Sequence, residues 1–355
     1  MSNKNLLSGR DKELQELAEQ YEAAMAENKP FYQDADELAD LADWYGTKKR
    51  YDKAFEIAEY GLKLHPDSTE LMIEYAYLHL DNGKKAKTRE IIENLPDTYS
   101  PEAKVVRAHL LLSEGKLDDA EQLLDTIEDK ADLANVVDVS YMYLDMGYPD
   151  KALAWLDPVK EEYSDEEAYI AVVADCLYGK GMTEEAIPLY NRLIDMNPYS
   201  APYWFGLARC HFEEMNFNQA IDACDYALVG DDEFADAYVM KGHCFYQLGN
   251  EDAALEYYQK AEELHGLAPE FIYTYIGLCK VSKGEWKEGY ENLEKAILEN
   301  ETDEIASPIL PSLYANAGLC LSKMGKKRKA HQYCKKAHKL SPEEPESLLI
   351  EGRIY

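Results

Sequence analysis

Apolar residues recur along this chain with helical spacing, inside a unit of about 34 residues that repeats nine times. The unit that begins at Ala201 shows two helix stripes separated by a turn around Met215. The first stripe is Trp204, Leu207, Ala208 and His211, and the second is Phe217, Ala220, Cys224 and Ala227. Such spacing places side chains on one face of a helix. Each unit is therefore predicted to be a pair of helices.

Two positions of the unit hold small residues almost throughout. The eighth position is Ala42, Ala76, Ala108, Ser140, Ala174, Ala208, Gly242, Gly277 and Gly318. The twentieth position is Ala54, Thr88, Ala120, Ala152, Ala186, Ala220, Ala254, Gly289 and Ala330. The distance between packed helices depends on the side chains at their contact, so small residues on both helices predict close packing.

Most units carry a glycine in the turn between the two stripes. These glycines are Gly83, Gly115, Gly147, Gly181, Gly249, Gly284 and Gly325. Glycine readily adopts the left-handed backbone that ends a helix. Units start near residues 35, 69, 101, 133, 167, 201, 235, 270 and 311. This repetition predicts an all-α solenoid, in which each unit buries its apolar face against its neighbours.

The array is predicted to span residues 35–344 between two capping helices. Within residues 1–34, a helix over about 10–28 places apolar side chains on one face. These side chains are Leu14, Leu17, Tyr21 and Ala24. Residues 345–355 repeat the pattern of a first helix and are expected to cover the last unit. The interval between the starts near 270 and 311 is longer than the others and predicts a loop or bent helix entry over 300–310.

This pattern resembles the tetratricopeptide repeat family over nearly the whole chain. The unit that begins at Glu167 matches the family pattern at Ile170, Val173, Ala174, Leu177, Ala186, Tyr190, Leu193 and Pro198. The resemblance implies a right-handed superhelix and a non-enzymatic scaffold or adaptor for other proteins. It further implies that the ligand lies along a concave groove, lined by first-helix positions two, five, nine and twelve.

Those groove positions give the candidate protein-binding residues. They are Asp36, Asp43, Tyr77, Tyr141, Asp175, Tyr178, Phe205, Arg209, His243 and Phe271. An acidic end and an aromatic floor suit a peptide or helical segment that bears basic and apolar residues, since buried aromatic side chains dominate many interfaces. For the twelfth-position residues Phe212 and Tyr246, packing between neighbouring first helices is the favoured interpretation. Tyr141 at the ninth position is expected to be exposed, because the polar residues Asp43, Asp175 and Arg209 occupy the same position in other units.

The net charge of the chain limits the kinds of partner that we expect, and its apolar segments indicate the cellular compartment. The chain has 37 Lys and Arg against 69 Asp and Glu, a formal net charge of −32. Such a surface repels phosphate backbones and anionic membranes, so nucleic acid is not an expected partner. The N-terminal segment lacks the apolar run of a signal peptide, and no segment has the length and hydrophobicity of a membrane span, so a cytoplasmic protein is expected.

No pattern for catalysis, a cofactor or a metal is found in the sequence. Gly-rich phosphate loops, zinc-protease motifs and nucleophile elbows are missing. Five of the seven cysteines fall at the tenth position of successive units, too far apart for a disulfide or a shared metal, and are expected to be core residues. We therefore expect no enzyme activity, no cofactor and no bound metal.

One segment reverses the charge of the chain. Residues 311–341 hold eight Lys or Arg and no Asp or Glu. A solvated face is the simplest interpretation of such a run. An alternative to an adaptor is a structural protein that self-associates at low salt through its acidic N-terminal and basic C-terminal ends. A second alternative, independent of this charge pattern, is a regulatory subunit of a separate enzyme.

Overall fold

A computed structural model of the chain describes residues 11–27, 29–264, 269–300 and 308–341, and these form helices joined by turns, with no strand. Helix α1 is Asp11–Ala26. The first helices of the units are α2 (Ala35–Thr47), α4 (Thr69–Asp81), α6 (Pro101–Ser113), α8 (Leu133–Asp145), α11 (Glu167–Gly179), α13 (Ala201–Glu213), α15 (Ala235–Gln247), α17 (Pro269–Ser282) and α19 (Leu310–Lys323). The predicted all-α solenoid is confirmed.

The second helices vary in length. They are α3 (Tyr51–Leu64), α5 (Lys85–Glu93), α7 (Leu117–Leu124), α9 (Pro149–Leu156), α12 (Thr183–Met196), α14 (Phe217–Gly230), α16 (Glu251–Glu263), α18 (Trp286–Asn300) and α20 (Lys327–Leu340). A short 3-10 turn, Asp157–Val159, and helix α10 (Lys160–Tyr163) follow α9. Helices α5, α7 and α9 have only 9, 8 and 8 residues.

The chain divides into two compact units, residues 1–214 and 215–355, which we call the N-terminal and C-terminal units. Helices α1 to α13 belong to the N-terminal unit, and α14 to α20 belong to the C-terminal unit. In the N-terminal unit, α1 packs on α2 and buries Leu14 and Tyr21. The predicted C-terminal capping helix lies outside the described residues.

Small residues mark where paired helices meet, as predicted. Within the N-terminal unit, Ala42 and Ala54 are fully buried, as are the corresponding residues of the next units. Two of these positions carry a hydroxyl in place of a methyl group. The Thr88 hydroxyl lies 3.2 Å from the Lys84 carbonyl at the start of its own helix and 3.4 Å from the Ala76 carbonyl of the paired helix. The Ser140 hydroxyl donates to the Ala152 carbonyl of the paired helix at 3.3 Å. A backbone acceptor at each position offsets the cost of burying the hydroxyl.

The seven predicted turn glycines all adopt positive φ, between 71° and 76°. At the first of them, the Lys84 amide donates to the His79 carbonyl at 2.9 Å across Gly83, which closes the end of α4. In the two remaining units, Lys49 and Met215 adopt φ of 58° and 59°. The same turn therefore recurs where no glycine marks it in the sequence.

Candidate functional site

The first helices of the N-terminal unit enclose an acidic pocket of about 280 Å³. It is lined by the second, fifth and sixth positions of both α2 and α4, by the ninth position of α2 and the first of α4, and by residues at the start of α6. Seven carboxylate side chains line it: Asp36, Asp40, Asp43, Glu70, Glu74, Asp97 and Glu102. Among the described residues that line this acidic pocket, none is basic.

Two of the predicted groove residues, Asp36 and Asp43, line the acidic pocket. Sequence mapping of positions two, five, nine and twelve missed Asp40 and Glu74, which occupy the sixth position of their units. The sequence does indicate Asp40 as a pocket residue, because it follows Asp36 by four residues and therefore shares its helix face. Asp43 is only 3 % exposed, so the pocket reaches into the packing between helices.

Further carboxylates act on Tyr77, next to the acidic pocket. Tyr77 is 7 % exposed on α4, and burial raises the pKa of its hydroxyl well above the ordinary value. The carboxylates of Asp138, Glu74, Asp145 and Asp81 raise that pKa further. Burial also raises the pKa of Asp145 to about 6, and Asp81 and Asp175 add to this shift. The carboxylates therefore continue from α4 to α8 and α11.

The predicted groove residues of the middle units form one bonded cluster around Asp175. Its carboxylate accepts hydrogen bonds from Tyr190 at 2.6 Å, from Arg209 Nη2 at 2.7 Å and from Tyr141 at 3.3 Å. The Arg209 guanidinium lies 4.3 Å from the ring centroid of Tyr178. It lies 5.6 Å from that of Phe205. Cation–π contact and an ion pair thus hold Arg209 in place.

This cluster changes what its members offer to a ligand. The Asp175 and Arg209 side chains are only 28 % and 29 % exposed, and their charges compensate each other. Burial and the Asp175 carboxylate raise the pKa of the Tyr141 hydroxyl well above its usual value. Tyr190 also belongs to the cluster, although it lies on the second helix α12 and the first-helix positions do not predict it. What remains for a ligand is the partly exposed surface of the Tyr141, Tyr178 and Phe205 rings.

In the C-terminal unit, the two predicted site residues have different surroundings. His243 Nδ1 lies 2.8 Å from the Tyr258 hydroxyl, and its ring contacts Tyr275 with centroids 4.4 Å apart. Burial lowers the pKa of His243 to about 4. His243 is therefore a neutral packing residue at pH 7. Phe271, at the second position of the unit that starts near residue 270, lies on α17 and is 39 % exposed.

The structure places the cysteines in the core. All seven are buried free thiols, and burial raises the pKa of Cys176 and Cys210 to about 12. Within the described part of the chain, no group of His, Cys, Asp and Glu is arranged to hold a metal ion. Across those same residues, no helix combines the length and apolar character required to cross a bilayer.

Two family models match parts of the chain. Residues 179–261 match the family described as anaphase-promoting complex, cyclosome, subunit 3, and residues 311–344 match the tetratricopeptide repeat. A curated relative, the TPR repeat-containing protein YpiA of Bacillus subtilis (strain 168), is 31% identical over 142 residues. That match covers 38% of this chain and 33% of YpiA, so the chain spans about a third of the relative's length.

Solved structures show the same fold at low sequence identity. The chain is similar to the APC/C hetero-tetramer Cut9-Hcn1, with a TM-score of 0.52 and 15% identity over 91% of this chain and 84% of that one. It is also similar to PilF of Pseudomonas aeruginosa, with a TM-score of 0.53 and 15% identity over 63% of this chain and 98% of that one. These similarities support a helical repeat solenoid.

Proposed function

We propose that the chain is a tetratricopeptide repeat protein that acts as a non-enzymatic adaptor, and that its N-terminal unit binds a protein segment rich in basic and apolar residues. Proteins of this family generally mediate protein–protein interactions. The acidic pocket of the N-terminal unit is the observation that carries the proposal. Its occupant would lie along the first helices, from the acidic pocket towards the Asp175 cluster.

Crowded carboxylates favour a cationic ligand. Seven acidic side chains around one pocket of about 280 Å³ repel one another, so the approach of a Lys or Arg side chain relieves that repulsion. A hydrogen bond between a charged donor and a carboxylate contributes about 1.5–3 kcal/mol. Two or three such contacts would provide much of the binding free energy of a micromolar complex, which is about 8 kcal/mol.

Aromatic rings next to the acids would receive the apolar side chains of the ligand. Tyr178 and Phe205 are partly exposed, and the guanidinium of Arg209 fixes both rings. Rings held in one conformation lose little entropy when a ligand packs against them. The proposed segment therefore carries basic residues at one end and large apolar residues at the other.

A labelled peptide tests this proposal directly. The probe carries four Lys at one end and four Leu or Phe residues at the other, and its affinity for the full chain is measured by fluorescence anisotropy at low and high salt. The pocket variant combines Asp36→Asn, Asp40→Asn and Glu70→Gln. We expect it to bind at least about tenfold more weakly, since the lost interactions exceed 1.4 kcal/mol. Higher salt should weaken wild-type binding.

A matched control removes three exposed acids away from the acidic pocket. Glu93→Gln, Glu161→Gln and Asp195→Asn change the net charge of the N-terminal unit by the same amount. This control variant should bind the probe with nearly wild-type affinity. Equal binding of a second peptide with Glu in place of Lys would contradict the proposal. Unchanged affinity in the pocket variant would also contradict it.

A further inference from the structure

Helix α20 carries an exposed basic face in an otherwise acidic chain. Its buried side consists of Ala330, Cys334 and Ala337. On the opposite side, Arg328, Lys335 and Lys339 are exposed and lie on one line of the helix. We call these three residues the basic face. The ion pairs that link described residues include none made by these three side chains.

The segment that contains the basic face has positively charged side chains and no negatively charged ones, unlike the rest of the chain. Residues 311–341 contain eight Lys or Arg and no Asp or Glu, so the remainder carries a formal charge of −32 − 8 = −40. An unpaired cationic face on an anionic protein attracts an anionic surface of matching extent. The acidic pocket of the N-terminal unit is such a surface, and every copy of the chain supplies one.

We propose that the basic face of one copy docks on the acidic pocket of a second copy. This inference rests on the proposed function, because it assigns a competing occupant to the same acidic pocket. The spacing of charges is compatible. Seven residues of helix separate Arg328 from Lys335 by about 10 Å, close to the distance of about 8–10 Å between packed neighbouring helices such as α2 and α4. Cations spaced in this way reach carboxylates on both helices.

A second copy is favoured over a nucleic acid or a membrane as the occupant. A phosphate polymer or an anionic bilayer extends well beyond α20 and would meet the repulsion of the remaining −40 charge. The docking of two unlike faces is heterologous, so copies could add head to tail into an open chain. Self-docking would also exclude the basic protein segment from the occupied pocket. A free basic partner would therefore dissociate the copies.

Sedimentation velocity on the full chain at about 20 mM and about 300 mM salt tests the docking, since exposed charge pairs are screened over a much shorter distance at the higher salt. We expect association that grows with protein concentration at low salt and disappears at high salt. The basic-face variant, Arg328→Gln, Lys335→Gln and Lys339→Gln, should stay monomeric. The pocket variant, which lacks Asp36, Asp40 and Glu70 carboxylates, should stay monomeric as well.

Mixing the two variants provides the decisive measurement. The basic-face variant keeps an intact acidic pocket, and the pocket variant keeps an intact basic face. Their mixture should form a 1:1 dimer at low salt that cannot grow further, because only one intact pair of faces is available. A control with Lys63→Gln, Lys160→Gln and Lys287→Gln removes three exposed lysines from other helices and should associate like the wild type.

Three results would overturn the docking. They are a monomer under all conditions, association that survives in both variants, and low-salt capture of the monomer by phosphatidylserine vesicles through Arg328, Lys335 and Lys339. The basic peptide separates this inference from the proposed function. If the basic-face variant binds the peptide normally but wild-type copies never associate, only the self-docking is wrong. If wild-type copies associate through the acidic pocket but the peptide does not bind the monomeric basic-face variant, whose pocket is free, the proposed adaptor function is wrong.

Discussion

Asp175 and Arg209 occupy the same position, the ninth, in adjacent repeats, and their side chains form an ion pair of 2.7 Å. Tyr141 occupies the ninth position of the preceding repeat and donates to the other oxygen of Asp175 at 3.3 Å. Equivalent positions of three consecutive repeats are therefore bonded to one another. This relationship connects three first helices of the N-terminal unit through side chains as well as through apolar packing.

Removing the Asp175 carboxylate should destabilise the N-terminal unit. Asp175→Asn keeps the shape of the side chain but leaves the partly buried Arg209 without its ion pair. We expect a loss of about 1–3 kcal/mol, seen as faster hydrogen exchange of amides in α11 and α13. Arg209→Gln in the same chain should recover part of the loss, because no unpaired charge remains. Equal exchange rates in wild type and Asp175→Asn would show that the cluster does not stabilise the unit.

The sequence predicted which side chains share the first-helix face but not how they would bond. The ninth-position residues were identified from periodicity alone, which depends only on helix geometry. Their pairing depends on side-chain reach between neighbouring helices. Tyr190 shows the difference, since it belongs to a second helix and still reaches Asp175 at 2.6 Å. The apolar periodicity of a single helix gives no information about distances between side chains on different helices.

Gly206 lies against the ring of Tyr190, and a side chain there should be poorly tolerated. A Cβ atom at Gly206 would overlap the Tyr190 ring, which is held by the Asp175 cluster. We expect Gly206→Ala to destabilise the N-terminal unit by about 1–3 kcal/mol despite the higher helix propensity of Ala.

Gly179→Ala is the matched control for that substitution. A Cβ atom at Gly179 meets neighbours at no less than 3.7 Å. Thermal unfolding of the two variants should therefore differ clearly, with Gly179→Ala at or above the wild-type midpoint. Equal midpoints for the two variants would mean that the Tyr190 ring can move aside at little cost.

Acidification should destabilise the N-terminal unit through His109. This residue is 7 % exposed, and burial lowers its pKa to about 4 from an ordinary value of 6.5. Between these two values the unfolded chain binds a proton that the folded chain does not, so stability falls as pH falls from 6.5 towards 4. At pH 5 the protonation of His109 in the unfolded chain lowers the free energy of unfolding by about 2 kcal/mol, compared with neutral or higher pH.

Replacing the titrating ring isolates this effect. His109→Phe keeps an aromatic side chain at the position but cannot bind a proton. Urea unfolding at pH 7.5 and pH 5 should show a smaller loss of stability on acidification in His109→Phe than in the wild type. If the two chains lose stability equally, His109 is already protonated in the folded state or is accessible to water.

Asp145 should make the binding of a basic peptide depend on pH in the same range. Because its pKa is raised to about 6, the carboxyl is charged at pH 7.5 and mostly neutral at pH 5. The affinity for the peptide should therefore fall by about two- to fivefold on acidification. Asp145→Asn should bind more weakly at pH 7.5 and respond less to pH. Anisotropy titrations at both pH values check this, and stronger binding at pH 5 would contradict it.

Turns and helix lengths show a second limit of sequence interpretation. The sequence predicts left-handed backbone at seven turn glycines, and all seven have positive φ. Lys49 and Met215 adopt the same backbone without a glycine, and at the first of these turns the Arg50 amide donates to the Tyr45 carbonyl at 2.9 Å. The sequence pattern does not predict that helices α5, α7 and α9 are shorter than the other second helices. Apolar periodicity shows that a helix exists, but where it ends depends on contacts with neighbouring units.

Because paired helices cross closely, residues at the crossing can change much less during evolution than residues of the acidic pocket. Fully buried positions such as Ala42 and Ala54 leave room for little beyond Ala, Gly, Ser or Thr, and a hydroxyl there needs a backbone acceptor, as Thr88 shows. Acidic-pocket positions such as Asp36 and Glu70 are instead exposed. A lineage could therefore exchange its binding partner by altering pocket side chains, while the helix crossings stay almost invariant and the solenoid persists.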